Sequence, residues 1–216
     1  MKCQLYRLVI MIGCVAQFGV LGAMIMRREC ALKQGVACRF RTAPVDPYDA
    51  FRGKYVALDI EGARDGLLTE TRFERNQRVY VRIGTDTNGL SVIEAVAGRP
   101  DTTALWIKAR VTYSWEEYKE RPGLTNAVPA SAGKSLAERR VLTGKYRTRL
   151  SLPFDRYYMD EKLAPAAESA YRDASQRKRR DAVVTVRVWR GLTVIEKLEV
   201  GGRPIQDVAR ERLPKK

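Results

Sequence analysis

Two groups of carboxylates in this chain sit where chemistry is conceivable. Asp46 and Asp49 fall within "PVDPYDAFRGKYVALDI", residues 44–60, and Asp155, Asp160 and Glu161 surround Tyr157 and Tyr158. Paired carboxylates in unlike surroundings can act as general acid and general base, and several together can hold a hard cation. The chain contains no histidine. Ser-His and Cys-His nucleophile activation, histidine acid–base work and every histidine-containing metal site are therefore excluded. Ser-Lys catalysis stays open in principle, but no serine is singled out as a nucleophile.

The elements that must carry these residues argue for turns. Asp46 precedes Pro47, and Asp49 follows three residues after Asp46. That is the start of a short helix, with an N-cap acceptor, proline at the first helical position and a carboxylate near free amides. Gly53 suits the left-handed residue that ends such a turn. Asp46 and Asp49 are read as capping groups, and a reactive role needs a third group from elsewhere. For the second cluster two readings stand. Its carboxylates form an acid–base pair or cation site, or Tyr158 packs in the core while Glu161 caps the helix that follows. No catalytic residue, metal or cofactor is assigned. The candidate binding residues are Asp46, Asp49, Gly53, Tyr55, Tyr158 and Glu161.

Other signals are weaker. "AGKS" (132–135) lacks the glycine that a phosphate loop needs five residues before Gly133, where Val128 stands. "SQRKRRD" (175–181) is a basic run without interleaved aromatics, so specific nucleic-acid binding is not expected. It reads as a solvated helix end, with contact to anionic headgroups as the alternative.

Leu8 to Met26 is apolar on every side, with Gln17 its strongly polar exception. Nineteen residues of helix rise roughly 28 Å, close to the hydrocarbon thickness of a bilayer. The run ends "AMIMRREC" without the small-residue cleavage pattern of a signal peptide. Residues 1–28 are therefore expected to hold an uncleaved anchor that meets membrane lipid through residues 8–26. Residues 29–216 form the domain. Of 40 basic residues only Lys2 and Arg7 precede Arg27, so the rest carries 38 against 25 acidic residues. Such a field attracts anionic lipid, nucleic acid or acidic partners, and it also suits a simple solvated surface. Arg27, Arg28, Lys33, Arg39 and Arg41 beyond the span tilt the positive-inside rule toward a cytoplasmic domain, although the rule weakens for long domains. Cys30 and Cys38 are close enough in sequence to bridge in an oxidising compartment, and two free thiols are the other reading.

Period-two alternation predicts strands at 36–42 and 54–60, with Val36, Cys38 and Phe40 inward on the first, and strong β formers predict a further strand at 103–113. "VYVRIGTDTNGLSVIEAVAGRP" (79–100) and "VTVRVWRGLTVIEKLEVGGRP" (184–204) repeat one plan, a V-x-V-R strand, a Gly-Leu turn, a V-I-E strand and a Gly-Arg-Pro stop. Asn88-Gly89 and Arg190-Gly191 occupy the turns. "GKYVALDI" (53–60) and "GKYRTRLSL" (144–152) echo each other upstream. Residues 114–137 read as an excursion, and 163–174 as one amphipathic helix across the sheet. The expected fold is mainly β (α+β), a β-sandwich or barrel-like body of two related halves, about 36–113 and 138–206.

With these residues in view the chain resembles the GDYXXLXY family of membrane-anchored bacterial proteins. The resemblance spans the anchor, "TAPVDPYDAFRGKYVALDI", "RYYMDEKLAPAAE" (156–168) and the closing hairpin. Gly53, Tyr55 and Leu58 match the name-giving motif, whereas Lys54 replaces its aspartate and Ile60 its final tyrosine. Tyr158 and Glu161 match a second segment, with Asp160 at a proline position. The resemblance implies a single-pass protein of the inner membrane with an extracytoplasmic domain, associated with multi-pass membrane proteins. The expected function is an accessory or interaction module for another membrane or envelope protein. A histidine-independent hydrolase using carboxylates and a binder of anionic surfaces are the alternatives.

Overall fold

The computed structural model of the chain describes residues 2–43, 55–101, 103–120, 140–175 and 181–213. Helix α1, Lys2–Gln34, is far longer than the apolar run that founds it. Its stretch Ile10–Gln34 is long and apolar enough to cross a membrane, and its most apolar part has no residue buried within the protein. The last turns do something else. Ala31 is fully buried, and the Gly35 amide donates to the Ala31 carbonyl at 2.9 Å, closing the helix directly onto β1, Val36–Ala43. A β-carbon at Gly35 would collide with the Ala31 carbonyl and crowd the Arg187 side chain, so only glycine fits this joint.

Alternation puts Cys38 and Phe40 in the core as expected, but Val36 is 56% exposed because it lies at the mouth of the joint. The expected strand at 54–60 is split into β2, Tyr55–Ala57, and β3, Asp59–Ile60, and its Val56, Leu58 and Ile60 are all buried. A short β4 (Leu67–Thr69) precedes the first copy of the repeat, hairpin β5 (Arg78–Thr85) and β6 (Ser91–Ala97). After it come β7 (Leu105–Glu120), β8 (Arg140–Ser151), β9 (Arg156–Tyr158) and helix α2 (Ala164–Ser175). The second copy is β10 (Ala182–Trp189) and β11 (Leu192–Val200), followed by β12 (Arg203–Pro204) and α3 (Ile205–Arg212).

The protein is mainly β, in one large mixed sheet of order β12-β11-β10-β1-β6-β5-β7-β8-β4, with β3 paired to β1. Strands β2 and β9 form a separate pair. The two repeated hairpins are not in separate sheets. They flank β1 in the same sheet, antiparallel through β10 and parallel through a single Phe40–Ser91 bridge to β6. That bridge is reinforced where the Arg39 amide donates to Ser91 Oγ at 3.1 Å. The sheet curls enough for the Gly191 turn to meet the side chain of Lys108 on β7. Cys38, Phe40, Val81, Ile107, Val184 and Leu198 thus share one apolar core.

The repeat has a physical meaning in both copies. Each hairpin carries a β-bulge, and the residue left over is the glutamate of V-I-E, Glu94 in one and Glu196 in the other. Each bulged glutamate turns to the arginine of V-x-V-R. Arg82 Nε lies 3.1 Å from Glu94, and Arg187 Nε and Nη2 donate to Glu196 at 2.7 and 3.3 Å. The turns differ. Arg190 and Gly191 both take positive φ, as a two-residue hairpin demands. In the longer first turn only Gly89 does, and the Asp86 carboxylate accepts from the Asn88 and Leu90 amides instead. The upstream echo has no such equivalence. Residues 55–60 serve two small pairings, whereas 144–151 belong to β8 between β7 and β4.

Two further corrections concern extent. Residues 114–120 are not an excursion, for they continue β7 and pair with β8. A second amphipathic helix, α3, joins α2. Ile205 and Ala209 are its buried face, and Arg212 Nη1 donates to Asp173 on α2 at 2.7 Å. The α2 face is Ala164, Ala167, Ala170, Tyr171 and Ala174, with alanines permitting close approach and Tyr171 reaching across. The Tyr171 hydroxyl donates to the Ala43 carbonyl at 3.2 Å, and burial pushes its pKa up to about 12.

Candidate functional site

The second carboxylate cluster lies on β9 and the turns that flank it. Phe154 is buried against Phe40, ring centroids 5.6 Å apart, and the Leu58 amide donates to the Asp155 carbonyl at 2.8 Å. These two anchors fix β9, which pairs with β2 so that Tyr158 stands opposite Tyr55. Their rings approach to 5.5 Å, and the Arg156 guanidinium lies over the Tyr55 ring at 5.1 Å. Arg156 also stands 3.8 Å from the Asp155 carboxylate. Tyr157 points the other way, where Gln206 of α3 donates to its hydroxyl.

Tyr158 is not a core residue. It is 66% exposed, because a three-residue strand paired only to β2 leaves its outer ring face in solvent. A cap at the start of α2 is supplied one residue earlier than Glu161. The residue is Asp160, whose carboxylate accepts from the Lys162 amide at 2.8 Å and whose carbonyl accepts from Leu163 and Ala164. Asp46, Asp49 and Gly53 lie outside the described residues, as do residues 132–135 and 176–180 of the two discarded motifs. No group of three His, Cys, Asp or Glu side chains able to hold a metal ion occurs among the described residues.

Two grooves border this segment. One, of 420 Å³, runs between Arg28 on α1, Phe154 to Tyr158, and Val194 and Ile195 on β11. The other, of 450 Å³, is lined by Arg78 and Tyr80 on β5, Lys108 and Arg110 on β7, and Leu152. They adjoin, because Pro153 and Asp155 line both. In the second groove Arg78 stands directly opposite Arg110 across the β5–β7 ladder. Like charges in directly opposed positions destabilise a sheet. The cost is tolerable only where water or an anion screens the pair.

Arg28 was in plain sight in the sequence as a residue flanking the apolar run. Its place beside Tyr158 was not, since that depends on α1 continuing to Gln34 and seating Ala31. Cys30 and Cys38 are both free thiols. Cys38 faces the core and burial pushes its thiol pKa up, while Cys30 remains part-exposed on α1.

Against known proteins, the family model described as GDYXXLXY protein matches residues 17–198. The chain belongs to the GDYXXLXY family. Residues 53–60 resemble the eight-residue signature for which the GDYXXLXY family is named. In the described part of this stretch Tyr55 stands in the β2–β9 pair, Leu58 and Ile60 are buried, and Val56 has no exposed surface. No curated protein and no solved structure matched the chain.

Proposed function

We propose that this GDYXXLXY protein is a single-pass interaction module of the bacterial inner membrane, with an extracytoplasmic sheet domain that binds another membrane or envelope protein. The observation that supports this most is the arm formed by β7 and β8. Strand β7 has sixteen residues, a length of about 53 Å. Only its first part is braced by β5, and the last described pairings, Tyr118 to Leu142 and Glu120 to Arg140, are made by two strands alone. Tyr113, Tyr118 and Leu142 are 58, 51 and 54% exposed along this ribbon. Tyr113 stacks on Trp115 at 5.7 Å, with Arg149 over the indole. Exposed aromatics beside arginine are the composition of an interface centre rather than of an idle surface.

Photo-cross-linking from position 118 in living cells, followed by affinity purification, tests the reading. A multi-pass membrane protein is the expected adduct, and Leu142→Asp should abolish it without lowering Tm. Adducts confined to the chain itself would sink the proposal.

A further inference from the structure

We infer that the paired grooves flanking Pro153 and Asp155 bind the headgroup of an anionic phospholipid from the bilayer that holds α1. The inference rests on the membrane-spanning reading of α1, though not on the protein partner proposed for the arm. Depth comes first. The apolar run ends at Met26, and Ala31 is already buried against the domain. Five helical residues rise about 7.5 Å. Arg28, between them, is thus held at headgroup height, and it lines the first groove.

Charge comes next. Five cations line the two grooves, Arg28 and Arg156 in one and Arg78, Lys108 and Arg110 in the other, against the single carboxylate of Asp155. The opposed Arg78 and Arg110 are relieved by a phosphate placed between them, and arginine forks match phosphate oxygens. Chemistry of the walls decides between lipid and a free anion. Phe154, Val194 and Ile195 give the groove next to α1 an apolar side suited to the glycerol and first methylenes of a lipid. Tyr158, exposed beside them, has the amphipathic ring favoured at a membrane interface.

The test uses the full chain purified in neutral detergent, titrated with phosphatidylglycerol or phosphatidylcholine and read by native mass spectrometry. Phosphatidylglycerol should be retained selectively. Arg28→Gln and Arg110→Gln should each weaken its retention about five-fold. Lys145→Gln, which removes the same charge from the arm, should leave it unchanged, and near-equal melting curves show that all variants fold. Equal retention of the two lipids overturns the inference, as does equal weakening by Lys145→Gln. Displacement by millimolar inorganic phosphate overturns it too, in favour of a plain anion pocket. Alkaline carbonate extraction is run alongside. Release of the protein would refute the span itself, a result distinct from loss of lipid preference.

Discussion

Arg187 holds three parts of the molecule with one side chain. It donates to both carboxylate oxygens of Glu196 and, through Nη1, to the Gly35 carbonyl at 3.1 Å. The guanidinium beside Glu196 holds that carboxyl below its ordinary value. A depressed carboxyl pKa stabilises the fold above the unfolded value of about 4.3, and the gain is lost as pH falls through the folded value. Because the pair is part-exposed, its worth is small. Glu196→Gln should cost about 0.5 kcal/mol at neutral pH. In thermal melts, the gap between wild type and variant should close on acidification below the ordinary glutamate range. A gap that persists at low pH would mean that packing, and not charge, distinguishes the two side chains. Nothing in the V-I-E sequence announces this contact. The letters R and E read as surface charges, and only the bulge brings Glu196 round to Arg187.

At the scale of elements, local periodicity made some of the architecture legible. Cys38 with Phe40, and Val56 with Leu58 and Ile60, alternate over a few residues, and each faces the core where alternation put it. The arm was missed for the complementary reason. A two-stranded ribbon wetted on both sides has no core face, so "SWEEYKE" shows no period that marks a strand. Helix α3 was missed because eight residues with only Ile205 and Ala209 buried are too few to establish a stripe. Its burial is real nonetheless. Ile205 has no exposed surface, and Ile205→Ala should destabilise the domain by about 3 kcal/mol in denaturant titration. A loss under 1 kcal/mol would mean that α3 lies loosely on the sheet.

For the whole molecule, the order of strands was beyond reach of the sequence. The two hairpins are recognisable as copies, but only long-range pairing inserts β1 between them and merges two expected halves into one sheet. The joint between α1 and that sheet is the feature with most leverage. At Gly35 a side chain meets backbone on two sides, whereas Gly22 stands in open space. Gly35→Val should therefore lower stability by about 2 kcal/mol in detergent, with Gly22→Val near neutral. Thiol labelling gives a second check, since maleimide should modify Cys30 in the native protein and reach Cys38 only after denaturation. Early labelling of Cys38 would show that the joint opens. If it does not open, helix and body turn as one piece. In the membrane-spanning reading of α1, any change in its inclination, from a thinner bilayer or a neighbouring helix, swings the arm through the same angle, and a displacement too slight to notice at the lipid becomes several times larger at the far tip.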